Sequence, residues 1–281
     1  MKLHFVNSGL FKLDGGAMFG IIPKKMWNKL NPADEDNLCT WIMRCLLIED
    51  GNRLILVDTG MGDKQDEKFR SFFQPFGDDN LLSSLDKLGF RPGDITDVFL
   101  THLHFDHVGG AVMRNDSGNL VPTFPNAIYW SSKIHWEWAM NPNSREAASF
   151  LKENFVPLQE AGVVKYIEYS GQEIFPGVTT QFLFGHTEEM MGLHIDTGTS
   201  KFFYCADLVP SSFHIGLPYI MAYDLRPLVT LKEKEQLLER AVTENIYLLF
   251  EHDPTTGCVS VKKNEQGRIV IDQHVALASF I

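Results

Sequence analysis

Short apolar runs recur along the whole chain, and most are long enough for a β-strand but too short for a helix. Residues 2–6 alternate between apolar and polar side chains, which predicts a first strand. The apolar run 40–48 ends in Asp50-Gly51-Asn52, a sequence typical of a hairpin turn, and residues 53–58 return as its partner. Further strands are predicted at 95–100, 127–130, 163–169, 178–183, 191–195, 201–205 and 246–250, followed by a closing hairpin of 258–262 and 268–271.

Helical stretches separate these strands. They are predicted at 64–74, 79–88, 131–154 and 230–244, the third being interrupted at Asn141-Pro142-Asn143. Residues 14–20 are rich in glycine and predict either a tight turn or a loop whose Met18 and Phe19 line a pocket. No long Pro/Gly/Ser linker interrupts the series. We therefore predict an α/β fold in which two packed, mixed β-sheets are flanked by helices, as one domain spanning residues 1–281.

Charge and composition exclude several classes of protein. The 281 residues carry a net charge of −11, which opposes nonspecific binding to nucleic acid or to anionic membranes. No stretch approaches the ~18 apolar residues of a membrane span, and the N-terminus lacks the apolar core of a signal peptide. The four cysteines form no CxxC pair and no disulfide-framework spacing, which favours reduced thiols and a cytoplasmic protein.

The strongest chemical signal is the stretch of residues 101–110, Thr-His-Leu-His-Phe-Asp-His-Val-Gly-Gly. In an extended chain His102 and His104 share one face; Asp106 continues it, and His107 turns in where the chain bends. Neutral imidazole and carboxylate are ligands that zinc and similar divalent cations prefer. One tetrahedral ion could hardly be reached by all four side chains, so the stretch predicts two metals. The alternative, a histidine-rich surface loop, does not explain the alternation.

Three later strands also end in side chains that bind metals. His186 follows the strand at 178–183, Asp207 follows 201–205, and His252 follows the apolar run that begins at Ile246. Binding sites on α/β scaffolds gather at strand ends, so we expect these residues near the histidine stretch. Asp58 emerges at another strand tip, where it either caps the following turn or supports a metal-bound histidine. Five other histidines have no such setting and are predicted to be packing or surface residues: His4, His135, His194, His214 and His274.

Together these motifs resemble the metallo-β-lactamase superfamily of hydrolases. The resemblance rests on the Val57-Asp58-Thr59-Gly60 turn, the HxHxDH stretch at 102–107, Gly185-His186-Thr187, Ala206-Asp207 and Glu251-His252-Asp253. It implies an αββα sandwich with the metals at one edge. It also implies His102, His104 and His186 on one ion, Asp106, His107 and His252 on the other, and Asp207 and a hydroxide bridging both. True β-lactamases lack that bridging carboxylate.

A narrower resemblance points to the quorum-quenching N-acyl-homoserine-lactone lactonases. It rests on residues 14–20, 101–107 and Met221-Ala222-Tyr223-Asp224. It implies that a hydroxide held between two divalent ions attacks the lactone carbonyl, with Asp106 shuttling a proton to the leaving oxygen. The lactonases carry a substrate-contacting tyrosine where this chain has Pro210, and we predict that Tyr223 supplies the phenol instead. Met18, Phe19 and Trp27 are the candidates for contacts with the acyl tail, although Trp27 is equally explained as a core residue.

Several alternatives stay open. The same site suits aryl esters, phosphotriesters or the thioester of S-lactoylglutathione, although the chain ends in a hairpin and lacks the helical basic region typical of a glyoxalase II. A nuclease of this superfamily would need a basic surface and a further RNA-binding domain. A metal-binding module without catalysis is a more distant alternative. Zinc is the default metal, with manganese, cobalt or iron as others that such ligands hold. The sequence does not set the oligomeric state, and a homodimer is one option.

Overall fold

A computed structural model of the chain describes residues 1–277, and contacts between Cα atoms divide it into two compact units. The first unit comprises Met1–Leu10 and Met43–Tyr169. The second comprises Phe11–Ile42 and the described residues from Ser170 onwards. The predicted α/β class is confirmed, since β-strands and helices alternate through both units.

Fifteen strands and eight α-helices are formed within residues 1–277. The strands are β1 (Lys2–Asp14), β2 (Leu38–Asp50), β3 (Arg53–Val57), β4 (Asp97–Phe99), β5 (Val112–Arg114), β6 (Leu120–Pro122), β7 (Ile128–Ser132), β8 (Val164–Ile167), β9 (Glu173–Phe175), β10 (Val178–Leu183), β11 (Met190–Asp196), β12 (Lys201–Tyr204), β13 (Ile246–Leu249), β14 (Cys258–Lys263) and β15 (Ile269–His274). The helices are α1 (Gly15–Phe19), α2 (Lys24–Trp27), α3 (Glu67–Phe73), α4 (Leu81–Lys87), α5 (Phe105–Val108), α6 (Lys133–Met140), α7 (Val156–Glu160) and α8 (Pro227–Glu244).

A six-stranded sheet has the order β1-β2-β3-β4-β7-β8, and all but the ends of β1 and β2 belongs to the first unit. The hairpin β2–β3 is antiparallel, whereas β3, β4, β7 and β8 run parallel to one another. Val57 pairs with Phe99, and both are fully buried. Because parallel strands end at the same edge, the residues that follow β3 and β4 emerge side by side. These residues are Asp58 and the histidine stretch.

A seven-stranded sheet of the second unit has the order β15-β14-β13-β12-β11-β10-β9. The strands β12 and β13 are parallel, with Tyr204 opposite Leu249. Strand β10 is antiparallel to β11, and β11 is antiparallel to β12. Consequently β10, β12 and β13 run in the same direction and end at one edge of the sheet. The side chains that follow these three ends are His186, Asp207 and His252.

Most predicted elements are present, and the differences have local causes. Strand β1 continues to Asp14 instead of ending near residue 6. Residues 15–19 form a helical turn, α1, because Oδ1 of Asp14 accepts a hydrogen bond from the N–H of Ala17 at 2.7 Å. The helix predicted over 131–154 is confined to α6, which ends just before Pro142, where a proline ring disfavours helix. Six short elements escaped prediction: β5, β6, β9, α2, α5 and α7.

None of the four cysteines forms a disulfide, and all four are buried. Burial raises the pKa of the Cys39 thiol to about 11 and that of Cys258 to about 12. The pKa of Cys205 is also raised by burial. These thiols therefore stay protonated near neutral pH. Among the helices within residues 1–277, none combines the length and the apolar character needed to cross a membrane.

Candidate metal centre

The first unit contributes a compact group of imidazoles and one carboxylate after β4. His102 and His104 are buried and each offers a ligand atom within 4.8 Å of the other. The chain then enters α5, and Asp106 and His107 lie on this helical turn. Asp106 therefore does not continue the extended face of His102 and His104, as the alternation had predicted. The N–H groups of His107 and Val108 both point back to the carbonyl of His104, at 3.0 Å. The four predicted ligands of this stretch thus lie close together within residues 102–107.

A close backbone approach explains the glycines after this stretch. A Cβ atom on Gly109 would lie 1.9 Å from the carbonyl oxygen of Met61, and one on Gly110 would lie 2.2 Å from that of Thr59. Only glycine allows the two chain segments to come this close. The turn that carries Asp106 and His107 is therefore set by contact with the segment after β3.

Asp58 contacts this group through Thr101 and His107. Its φ angle of 57° lies in the left-handed region, which turns the chain sharply at the end of β3. One carboxylate oxygen accepts the N–H of Thr101 at 2.8 Å, and the other accepts the Thr101 hydroxyl at 2.7 Å. The second oxygen also lies 3.2 Å from Nδ1 of His107. This contact leaves Nε2 of His107 as the remaining ring nitrogen, and a carboxylate beside the second nitrogen is how a metal-bound histidine is typically oriented.

In the second unit one carboxylate lies between two imidazoles. Nε2 of His186 is 3.2 Å from Oδ2 of Asp207, and Nε2 of His252 is 3.1 Å from Oδ1 of the same side chain. Asp207 follows Ala206, whose φ of 44° again lies in the left-handed region at a strand end. Each of these three side chains is at least 94% buried. Each oxygen of Asp207 thus faces the Nε2 atom of a different histidine.

The opposite ring nitrogens of both histidines already have partners. Nδ1 of His186 lies 2.8 Å from Oδ1 of Asp224, and Nδ1 of His252 lies 2.9 Å from the carbonyl oxygen of Ile42. A metal-bound histidine characteristically donates its second N–H to a carboxylate or a carbonyl in this way. The donor set of imidazole Nε2 and carboxylate oxygen is what divalent cations such as zinc take. The residues present therefore fit divalent metal ions.

The residues predicted to contact substrate differ in their exposure. Tyr223 is 40% exposed and precedes Asp224, the partner of His186. Met18, Phe19 and Trp27 are all at least 98% buried. The ring of Phe19 stacks between Trp27, at a centroid distance of 5.2 Å, and His214, at 4.9 Å. Phe19 and Trp27 thus belong to a ring stack of the second unit, and the Met18 carbonyl contacts His214 of the same stack.

Pro210 has a backbone role. Its carbonyl oxygen accepts the N–H of His252 at 2.9 Å. The next turn is fixed by Asp253, whose Oδ2 accepts the N–H of Ser212 at 2.9 Å. The loop after Asp207 is therefore tied to the loop that carries His252.

Burial also lowers the pKa values of two side chains in the second unit, His214 and Lys234. It lowers the pKa of His214 to about 3, so this imidazole stays neutral while Nε2 contacts the Met18 carbonyl at 2.9 Å. Burial lowers the pKa of Lys234 to about 7, although its ammonium donates to the carbonyls of Gly216 and Tyr219 at 2.8 and 2.7 Å. Lys234 therefore fastens the loop that leads to Tyr223.

The histidines without a strand-end setting behave largely as predicted. His274 is exposed and His4 contacts Glu49 near the surface. His135 is buried, and its Nε2 accepts the N–H of Leu103 within the histidine stretch. Sequence reasoning missed two carboxylates that contact predicted ligands, Asp224 beside His186 and Glu146 beside His104. Asp224 ends the stretch Met221-Ala222-Tyr223-Asp224, but this stretch predicts no role for that residue.

Known proteins resemble this chain over most of its length. The N-acyl homoserine lactonase of Bacillus thuringiensis subsp. kurstaki is 24% identical over 265 residues, which cover 90% of this chain and 93% of that protein. A probable metal-dependent hydrolase from Staphylococcus aureus superposes with a TM-score of 0.86 at 27% identity, covering 98% of both chains. AidC, described as a dizinc quorum-quenching lactonase in complex with a product, superposes with a TM-score of 0.79 at 23% identity and covers 98% of this chain and 94% of its own.

The family model of the metallo-beta-lactamase superfamily matches residues 44–252, which is well over half of the chain. This range includes all seven predicted ligands and Asp58. The match confirms the resemblance to this superfamily that the motifs indicated. The superposed structures confirm the metallo-β-lactamase fold. The chain belongs to the metallo-beta-lactamase superfamily and is a metal-dependent hydrolase.

Proposed function

We propose that this hydrolase opens the lactone ring of N-acyl-homoserine lactones with two divalent ions. The observation that carries the proposal is the carboxylate of Asp207, which offers one oxygen towards His186 and the other towards His252. A carboxylate with both oxygens facing different imidazoles suits a bridge between two ions better than a single site. The N-acyl homoserine lactonases, to which 90% of the chain is similar, supply the substrate class.

The ligands divide between the two ions as the superfamily resemblance implies. We propose His102, His104 and His186 for one ion, Asp106, His107 and His252 for the other, and Asp207 for both. Zinc is the expected metal, and manganese, cobalt or iron also suit a site made only of nitrogen and oxygen donors. Asp58 and Asp224 hold His107 and His186 in place through their second ring nitrogens.

When bound, the ions would make a water molecule a nucleophile near neutral pH and polarise the lactone carbonyl. The oxygen of this water bonds to the carbonyl carbon, and the ring C–O bond breaks. Asp106 takes the proton from the water and passes it to the departing ring oxygen, so the product is the N-acyl-homoserine. The Tyr223 hydroxyl donates a hydrogen bond to the carbonyl oxygen as negative charge develops on it. The half-exposed position of Tyr223, next to Asp224, supports this role.

The acyl tail needs an apolar surface beside the ions. We keep Met18, Phe19 and Trp27 as candidates for the residues that underlie this surface. The N–H of Ala222 donates to the carbonyl of Ala17 at 2.7 Å, which joins α1 to the segment that carries Tyr223. The partner is thus a small-molecule lactone or ester, with no role for nucleic acid or membrane at a net charge of −11. We further propose that residues 1–281 act as a single hydrolase domain in the cytoplasm, with a homodimer as one open option.

A substrate panel tests the proposal. The full chain would be stripped with a chelator, reloaded with zinc, and assayed on homoserine lactones of short and long acyl chain, on aryl esters, on a phosphotriester and on a thioester. We expect activity only after reloading, and a kcat/KM for at least one homoserine lactone well above that for every other class. Reloaded protein that prefers an aryl ester, phosphotriester or thioester would replace the lactone assignment with that substrate. Two bound ions without hydrolysis of any substrate would favour a noncatalytic metal-binding module.

A further inference from the structure

The segment that follows β7 packs directly against the histidine stretch of the same unit. The N–H of Leu103 donates to Nε2 of His135 at 2.9 Å, and the N–H of Phe105 donates to the carbonyl of Ser149 at 3.0 Å. Both neighbours of His104 are therefore fixed by residues 133–150. Residues 133–150 therefore support one predicted ligand in particular, His104.

Glu146 is the charged member of this support. It is 4% exposed, and its Oε1 lies 3.5 Å from Nε2 of His104. Its other oxygen, Oε2, accepts the indole N–H of Trp138 at 2.8 Å and the amide N–H of Asn143 at 2.7 Å. The two donors hold Oε2 in place, and Oε1 is the carboxylate oxygen that lies beside the imidazole.

A carboxylate beside one ring nitrogen selects the tautomer of a neutral histidine. A carboxylate oxygen 3.5 Å from Nε2 favours the proton on that nitrogen by electrostatic attraction, so Nδ1 keeps its lone pair. For His186 and His252 the partners occupy Nδ1, so the arrangement at His104 is reversed. A metal ion at His104 would therefore meet Nδ1.

We propose that Glu146 is a positioning residue that holds His104 in the Nε2–H tautomer and turns its Nδ1 towards the first metal ion. The proposal rests on the metal centre described above and extends it to a residue outside the ligand motifs. Its tests read tautomer and metal affinity, so they are separate from lactone hydrolysis. A failure of the lactone assignment leaves the role of Glu146 intact, and the reverse also holds.

The variant Glu146→Gln gives a sharp test on the metal-free full chain. Because Oε2 accepts two N–H donors, the amide oxygen of glutamine occupies that position and its NH₂ group faces His104. An N–H donor at Nε2 requires a lone pair there, so His104 changes to the Nδ1–H tautomer. Long-range ¹H–¹⁵N NMR of the imidazole nitrogens should show Nε2–H in the parent chain and Nδ1–H in Glu146→Gln. An Nδ1–H signal in the parent, or no change in the variant, would refute the proposal.

Metal affinity gives the second readout. Competition with a chromophoric chelator should show one of the two zinc ions bound about 10- to 100-fold more weakly in Glu146→Gln, as is typical when a partner of a metal-bound histidine is lost. Glu153→Gln is the matched control, since Glu153 belongs to the neighbouring surface and pairs with Arg114 at 3.6 Å. Trp138→Phe, which keeps the ring and removes one donor to Oε2, should give a smaller loss if Glu146→Gln proves too unstable to purify. Equal affinity in the parent and in both of these buried-site variants would also overturn the proposal.

Discussion

The Nδ1 atom of His186 lies 2.8 Å from Oδ1 of Asp224, although 38 residues separate them along the chain. Asp224 is 2% exposed and its carboxylate therefore acts on the imidazole almost without screening by water. The contact fixes which nitrogen of His186 carries the proton. It leaves Nε2 directed at Asp207, 3.2 Å away.

Replacing Asp224 by asparagine should weaken metal binding about 10- to 100-fold, because the second nitrogen of His186 loses its charged acceptor. Chelator competition with zinc measures this effect directly. Asp36→Asn, which removes the same charge from an exposed position, is the control and should bind zinc as the parent does. Equal weakening in both variants would assign the effect to net charge and not to the contact with His186.

Tyr223→Phe should lower kcat for homoserine lactones by about 100-fold while both metal ions are retained, since the loss of one donor to a developing oxyanion costs this much in other hydrolases. Steady-state kinetics combined with metal analysis separates the two properties. Tyr169→Phe, at a tyrosine that is 60% exposed, is the control. An unchanged kcat would remove Tyr223 from the reaction, and the phenol missing at Pro210 would then have no replacement.

Protonation of His214 should make the protein less stable in acid. Burial lowers the pKa of His214 from 6.5 to about 3, so between these values the unfolded chain binds a proton that the folded chain does not. The free energy of unfolding therefore falls as the pH falls through 6.5, by about 2 kcal/mol between pH 6.5 and 5 from this group. Urea unfolding of the parent and of His214→Gln over this range measures the difference. A parallel pH dependence in both proteins would contradict the prediction, and His274→Gln, at an exposed site, should follow the parent.

Gly109→Ala should destabilise the turn that carries Asp106 and His107. The new Cβ would lie 1.9 Å from the carbonyl oxygen of Met61, so the backbone has to move on one side of the contact. We expect a loss of about 3 kcal/mol or more in the free energy of unfolding, together with weaker metal binding. Gly93→Ala is the matched control, because its nearest atom is 3.7 Å away, and it should change stability by less than about 1 kcal/mol.

Sequence patterning predicted most of the strands and the side chains that follow their ends. An apolar run that ends in a histidine or an aspartate is a local signal, and Asp58, His186, Asp207 and His252 all follow strands as predicted. The partners of the ligands were not predictable in this way. Asp224 and Glu146 contact histidines 38 and 42 residues away, and nothing in their immediate neighbours marks them.

The helical turn α1 shows a second limit of local reasoning. Three glycines in residues 14–20 favour a turn by propensity. The helix forms nevertheless, because Asp14 caps it and because Gly15 packs so tightly that a Cβ there would lie 2.4 Å from the ring of Trp27. Glycine is needed here for space, and this depends on a residue 12 positions later in the chain. Propensity read along the sequence cannot show such packing.

The four buried thiols bear on how the protein would respond to oxidants. Peroxides attack thiolates, and zinc centres with cysteine ligands release their metal when those ligands are oxidised. In this chain the proposed ligands are imidazoles and carboxylates, and the pKa values of Cys39, Cys205 and Cys258 are all raised by burial. A zinc-loaded form should therefore retain its metal at peroxide concentrations that empty a thiolate-bound site.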